Sequence, residues 1–217
     1  MYVGYMYGTS NETAIDRSNS NNSTIKSAID KWYVDNLNTN YGKYLSTTAV
    51  YCNDREIGKE TYSETGDLIF YFAPYTRLAV KNAPTYDCTN ISDAFSVSNT
   101  SAKLNYPIGL MTADEVSFAG GLWYGKAPAY YYRNSSSAST SSTGLIYWWT
   151  MTPSNWNGSS SGMFSVFGSD SPGYLGDSGL RNTFGVRPVI SLKSCVKYGD
   201  GDGSADSPYT IDESYEC

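Results

Sequence analysis

The sequence predicts an α+β fold with a small twisted antiparallel sheet, two helices and extensive loops. Three observations predict it. Short runs of β-branched and aromatic residues, above all Tyr147-Trp148-Trp149 and Val186 to Leu192, are bounded by turn formers. Two stretches, one after Ser23 and one after Thr112, join a capping residue to apolar side chains at helical spacing. Long Ser-, Gly- and Asn-rich segments between them fit neither period. At 217 residues the chain can bury one sizeable core.

The opening run Tyr2-Val3-Gly4-Tyr5-Met6-Tyr7 reads as a strand, and its abrupt start suggests a trimmed preceding segment such as an N-terminal anchor. A polar stretch from Thr9 to Asn22 leads to the first helix, capped by Ser23 or Asn22. Ile25, Ala28, Ile29, Trp32, Tyr33 and Leu37 share its inner face, with Trp32 expected as a core anchor. Tyr41 to Cys88 is turn-rich, with edge strands at Ala49 to Cys52 and Leu68 to Phe72. The charged run Asn53-Asp54-Arg55-Glu56 reads there as a solvated turn. In Thr112-Ala113-Asp114-Glu115 the Thr hydroxyl and the Glu carboxylate can form a capping box. Val116, Phe118 and Ala119 then carry the apolar surface and Gly120-Gly121 ends the helix. Asn134 to Gly144 is a small, polar, flexible loop. Ser194 to Cys217 reads as a hairpin around a Gly/Asp turn, an appendage (194–217) of the domain formed by residues 1–193.

Composition narrows function. A net charge of −6 and a pI near 4.6 argue against a phosphate-binding surface, so nucleic acid is not expected as a partner. There is no apolar run long enough to span a bilayer, and no membrane contact by this segment is expected. The chain has no histidine, which removes the commonest general base and the usual nucleophilic triads. No phosphate loop or dinucleotide fingerprint occurs, so no cofactor is expected. Asp200, Asp202, Ser204 and Asp206 alternate as oxygen ligands do in a calcium loop. Ala205 and Ile211 stand where a turn Gly and a bidentate Glu belong, so the loop reads as a turn, not a metal site. A carboxylate-dependent hydrolase using Asp114, Glu115, Asp170 and Asp177 is the alternative from another class; the expectation is no enzyme. Cys52, Cys88, Cys195 and Cys217 permit three pairings. The sequential one, Cys52 with Cys88 and Cys195 with Cys217, closes loops of moderate length and implies an extracellular location. Four buried thiols in a cytosolic core are the other reading.

Between Tyr147 and Leu192 two apolar, strand-like ends enclose Ser, Gly, Asn and aromatic residues. Aromatics give contact area at low entropy cost and small polar residues give adaptable hydrogen bonds, the composition of binding loops. The middle is therefore expected to be a surface. The same residue types also serve ordinary turns and cores.

The motif Trp148-Trp149-Thr150-Met151-Thr152-Pro153, followed at a distance by Phe184-Gly185-Val186-Arg187-Pro188-Val189-Ile190, resembles the C-terminal half of bacterial C-type-lectin-like domains related in shape to formylglycine-generating enzymes. Leu110 to Glu115, Ala119-Gly120-Gly121 and Val3 to Gly8 look like the same bacterial or phage surface domains, which often follow a pilin-like anchor. A fixed entry, a divergent middle and a fixed exit resemble the variable proteins of diversity-generating retroelements. The resemblance implies ligand contacts at Ser154, Trp156, Ser159, Ser161, Met163, Ser165, Phe167, Ser169, Tyr174, Asp177, Leu180, Arg181, Thr183 and Phe184. Trp156 and Met163 cannot arise from an Asn codon by adenine changes alone. The paired cysteines of the formylglycine-generating enzymes and the calcium-binding triplets of sugar-binding lectins have no counterpart here, so neither activity carries over. The expected function is recognition of an external protein or glycan at a cell surface or on a phage particle. A fixed-specificity glycan adhesin or a structural pilus or surface-layer subunit are the alternatives.

Overall fold

The computed structural model describes residues 19, 22–58, 69–125, 147–157, 161–167, 173–204 and 206–214. The architecture is mixed α+β with antiparallel sheets, as the sequence predicts. The expected opening strand and the 134–144 loop lie outside these residues.

Helix α1 (Thr24–Tyr33) starts where Ser23 Oγ accepts the Lys26 N–H at 3.0 Å. Ile25, Ile29 and Tyr33 are buried in sequence steps of four, and Lys31 lies in the last turn. Trp32 is 45% exposed, which corrects its expected role: the buried stripe is only one residue wide, and Tyr33 takes the inward position. A widened turn at Val34–Asn38 carries the chain into a last helical turn, α2 (Thr39–Tyr41).

Strand β1 (Tyr51–Cys52) pairs with β3 (Ala94–Phe95). Beside it the charged run is not a solvated turn. Arg55 is 6% exposed and its Nη2 lies 2.5 Å from Asp93 Oδ1, an ion pair that Nε of Arg55 completes at 2.6 Å. Burial without a partner would be costly for either group, so the pair fixes the 53–56 segment to the 91–93 turn. Cys52 and Cys88 form a disulfide across 36 residues, and Cys195 is also disulfide-bonded. Cys217 lies outside the described residues.

The main sheet has the order β2-β5-β6-β7, formed by β2 (Ile69–Tyr71), β5 (Trp148–Asn157), β6 (Ser161–Val166) and β7 (Leu175–Gly179). A helical turn, α3 (Ala73–Tyr75), follows β2, started by Pro74. Helix α4 (Ala113–Phe118) has the capping box read from the sequence: Thr112 Oγ1 accepts Glu115 N–H at 3.1 Å, and Glu115 Oε2 accepts Thr112 N–H at 2.7 Å. Gly120 ends it at φ 95°, a left-handed conformation. Phe118 is 47% exposed and stacks on Tyr86, so the apolar face of α4 is carried by Ala113 and Val116. A short pair, β4 (Gly109–Leu110) with β8 (Pro188–Val189), closes the fold. The expected Val186 to Leu192 strand shrinks to these two residues. Pro188 has no N–H to donate, Val189 is only half-buried, and Ile190 and Leu192 are exposed. In the C-terminal hairpin Tyr198 bridges Ile211, and Gly201 and Gly203 turn the chain at positive φ.

Strand β5 divides the core. Trp149 and Met151 face α1 with Met163, Phe70 and Ile108, while Trp148 faces α4 with Phe164, Val166, Leu175 and Leu78. The β5–β6 register shifts between Pro153 and Asn155. That bulge changes the parity of the strand, so Trp156 rejoins the α1 face beside Trp149, and Asn155 turns to the α4 face.

Candidate functional site

Among the described residues, the α4 face of the sheet is covered at one end and open at the other. Trp123 bridges Leu175 and packs on Phe164 at 5.6 Å, closing the covered end. Beyond it runs a row of cross-strand partners, Tyr71, Asn155, Gly162 and Gly179, with Asp177 one row back opposite Phe164. The bulge lets neighbours on β5 reach one carboxylate: Asp177 Oδ2 accepts Ser154 Oγ at 2.5 Å and Asn155 Nδ2 at 2.8 Å. Asn155 crosses β6 to do so, and a Cβ on Gly162 would stand 2.6 Å from its Nδ2. A Cβ on Gly179 would meet nothing within 4 Å, so the floor beside Asp177 is open. The other carboxylate oxygen, Oδ1, takes no hydrogen bond from the described residues.

Rings wall this floor. Tyr71 and Tyr75 stack at 3.8 Å, Tyr75 meets Trp123 edge-on at 5.4 Å, and Trp123 meets Tyr124 at 4.8 Å. Tyr124 continues to Tyr174 at 6.0 Å. Tyr124 holds φ at 49°, uncommon for a bulky side chain, and is 59% exposed. Burial, then the hydrogen bond with Tyr71, then the charges of Tyr71, Asp177 and Tyr124 push the Tyr75 hydroxyl up to about 12. It therefore stays protonated, a neutral donor beside a carboxylate.

The structure sorts the sequence-predicted contacts into two groups. Ser154, Trp156, Ser161, Met163, Ser165 and Leu180 are buried, which corrects the expectation of a surface there. The reason is pairing by size. On β6, Ser165 lies opposite Trp149 and Ser161 opposite Trp156, so the small side chains leave space for indole rings. Arg181 and Thr183 are exposed; Phe167, Tyr174, Asp177 and Phe184 are half-buried. Phe184 stacks on Trp149 at 4.4 Å and on Tyr147 at 5.2 Å, serving as a lid on the core. Ser159 and Ser169 lie outside the described residues. Tyr71, Tyr75, Trp123, Tyr124 and Asn155 belong to the site and were missed. The strand-then-Pro pattern with tyrosines four apart at 71 and 75 was the available signal.

Of the acids a hydrolase would draw on, Asp114 is bound in a bidentate fork by Arg77 at 2.7 and 2.8 Å, and Glu115 is engaged in the α4 cap. Arg77 also reaches Asp54 at 2.5 Å. Asp177 stands on the open face, and Asp170 lies outside the described residues. Among the described residues no group of three or more His, Cys, Asp or Glu is placed to hold a metal ion. In the 200–206 loop, Asp200 and Asp202 accept the N–H groups of Gly201 and Ser204 at 2.8 and 2.9 Å. On the α1 side of the sheet a cavity of ≈ 280 Å³ lies among Ile25, Ile29, Leu104, Ile108, Met151 and Met163. No protein-family model matches the chain, and neither curated proteins nor solved structures give a match.

Proposed function

We propose that this is an extracellular, non-enzymatic binding domain of C-type-lectin-like type that recognises an external macromolecule, and that a diversity-generating retroelement rewrites its recognition surface. The observation that carries the reading is the open end of the α4 face: a carboxylate held from below, one oxygen without a hydrogen bond from the described residues, on a glycine floor walled by tyrosines. Arg181 and Thr183, which follow β7 in the chain, are exposed, and Tyr174, just before it, is half-buried. Such a site offers charge, hydrogen bonds and ring faces without an assembled acid–base pair. The Cys52–Cys88 disulfide supports an oxidising compartment, and among the described residues no helix is long and apolar enough to cross a membrane.

Sequencing sibling loci tests this reading. Differences are expected at 174, 177, 181 and 183, with 156, 161, 163 and 165 constant, beside an imperfect repeat of the segment and a reverse transcriptase gene. Differences spread through buried β6, or a locus without repeat and reverse transcriptase, would falsify it. The stacked Tyr71–Tyr75 pair beside Asp177 also suits a sugar ring. Siblings identical from 174 to 183, together with binding to immobilised glycans, would favour the fixed adhesin.

A further inference from the structure

The backbone of β7 carries a second kind of recognition element, beyond the side chains around it. In its ladder with β6, Phe167 N–H donates to Tyr174 O at 2.8 Å and Leu180 N–H to Ser161 O at 3.1 Å. Antiparallel alternation then turns the backbone groups of 174, 176, 178 and 180 toward β6, and those of Leu175, Asp177 and Gly179 outward. Leu175 is satisfied: its N–H donates to Leu122 O and its carbonyl accepts from Tyr124 N–H. Among the described residues that added lane goes no further, and Gly125 N–H folds back to Leu122 O at 2.9 Å. The Gly179 carbonyl is taken by Asn182 N–H at 3.0 Å. The N–H and carbonyl of Asp177 and the N–H of Gly179 are left pointing outward without a partner among the described residues. They stand at the end of a lane already begun, beside Asp177 Oδ1, which takes no hydrogen bond from the described residues, and the ring wall.

We propose that this edge receives an extended peptide segment of a partner protein, paired strand to strand with Asp177–Gly179, and that a Lys or Arg side chain of the peptide seats on Asp177 between the tyrosine rings. The proposal rests on the recognition reading above and names the partner of that same site. Backbone pairing supplies affinity independent of sequence, and side chains alternating over the open face supply selectivity. A cation gains from Asp177 Oδ1 and from the ring faces together, and the chain's net charge of −6 favours its approach. Gly179 leaves room over the face for a side chain of the incoming segment.

The probe is a set of short synthetic peptides rich in Thr and Val, with Lys, Arg, norleucine or Glu at the centre, titrated by fluorescence anisotropy against the whole chain. Lys and Arg peptides are expected to bind about tenfold or more tighter than Glu peptides, and to weaken with salt. Amide hydrogen exchange at Asp177 and Gly179 is expected to slow on binding. Gly179→Pro removes the outward N–H without touching a β6 bond and should abolish binding. Asp177→Asn should erase the preference for a cation while leaving some backbone-driven binding. Failure of every peptide to bind, or binding that ignores Gly179→Pro and leaves both amides unprotected, overturns the proposal. Sibling alleles that differ at 174, 181 and 183 alongside such a failure leave the recognition reading standing and remove only the edge.

Discussion

Strands β6 and β7 lie side by side over five paired positions and share Ser and Gly, with three apolar side chains on β6 and Leu175 alone on β7. All six residues of β6 are buried, whereas on β7 burial stops after Gly176. The difference lies in the neighbours. Strand β6 is flanked on both sides and buried along its length, so its serines are fillers opposite tryptophans, with Ser161 and Ser165 Oγ left without hydrogen-bond partners among the described residues. Strand β7 is the edge of the sheet and, among the described residues, its roof ends at Trp123, so its polar residues are only half-buried. Small polar residues thus mark either a tight interior or a recognition surface, and the partner strand decides which.

The largest effect that can break this contrast is at the indole rings β6 accommodates. Trp149→Ala should lower stability by about 3–5 kcal/mol, read from the denaturant midpoint, because the ring is fully buried and stacks on Phe184. Ser165→Leu should cost about 1–3 kcal/mol by overpacking against Trp149. A change near zero would mean that β6 is looser than its burial implies. Tyr75 sharpens the other side. Its pKa is raised, to about 12 from 10.0, so the stability its neutral form contributes is complete below about pH 10 and is lost as pH climbs through 12. In ultraviolet titration of tyrosinate, where burial also raises Tyr33 and Tyr51, Tyr75→Phe should remove a component near 12 and Asp177→Asn should move that component toward lower pH. The smallest effect should come from Tyr174→Ser with Arg181→Ser, about 0.5 kcal/mol or less each in denaturant midpoint. A loss as large as that of Ser165→Leu would erase the distinction between the two strands.

What was legible in the sequence was local. The Ser23 cap and the Thr112–Glu115 box depend on residues three apart, and the Cys52–Cys88 pairing on a moderate loop closed around turns. The alternation of Trp148 and Trp149 between two cores follows from strand parity alone. What escaped depends on partners far along the chain. Arg55 looks solvated until Asp93 arrives, 38 residues later, and Trp32 looks buried until Tyr33 is seen to fill the inward position. Asp177 acquires its setting from Ser154 and Asn155 through a one-residue shift that no periodicity announces. The ring wall gathers residues from β2, α3, the 122–124 lane and the turn before β7, so no single segment displays it.

The vacancy above Gly162 works as a mountain pass. Asn155 reaches across β6 only because nothing rises there, and a methyl group would stand 2.6 Å from an amide that can swing aside, not from backbone. Alanine at 162 would therefore leave the ridge intact while closing the route between two valleys. One methyl group there would part the carboxylate from its support without adding bulk against backbone.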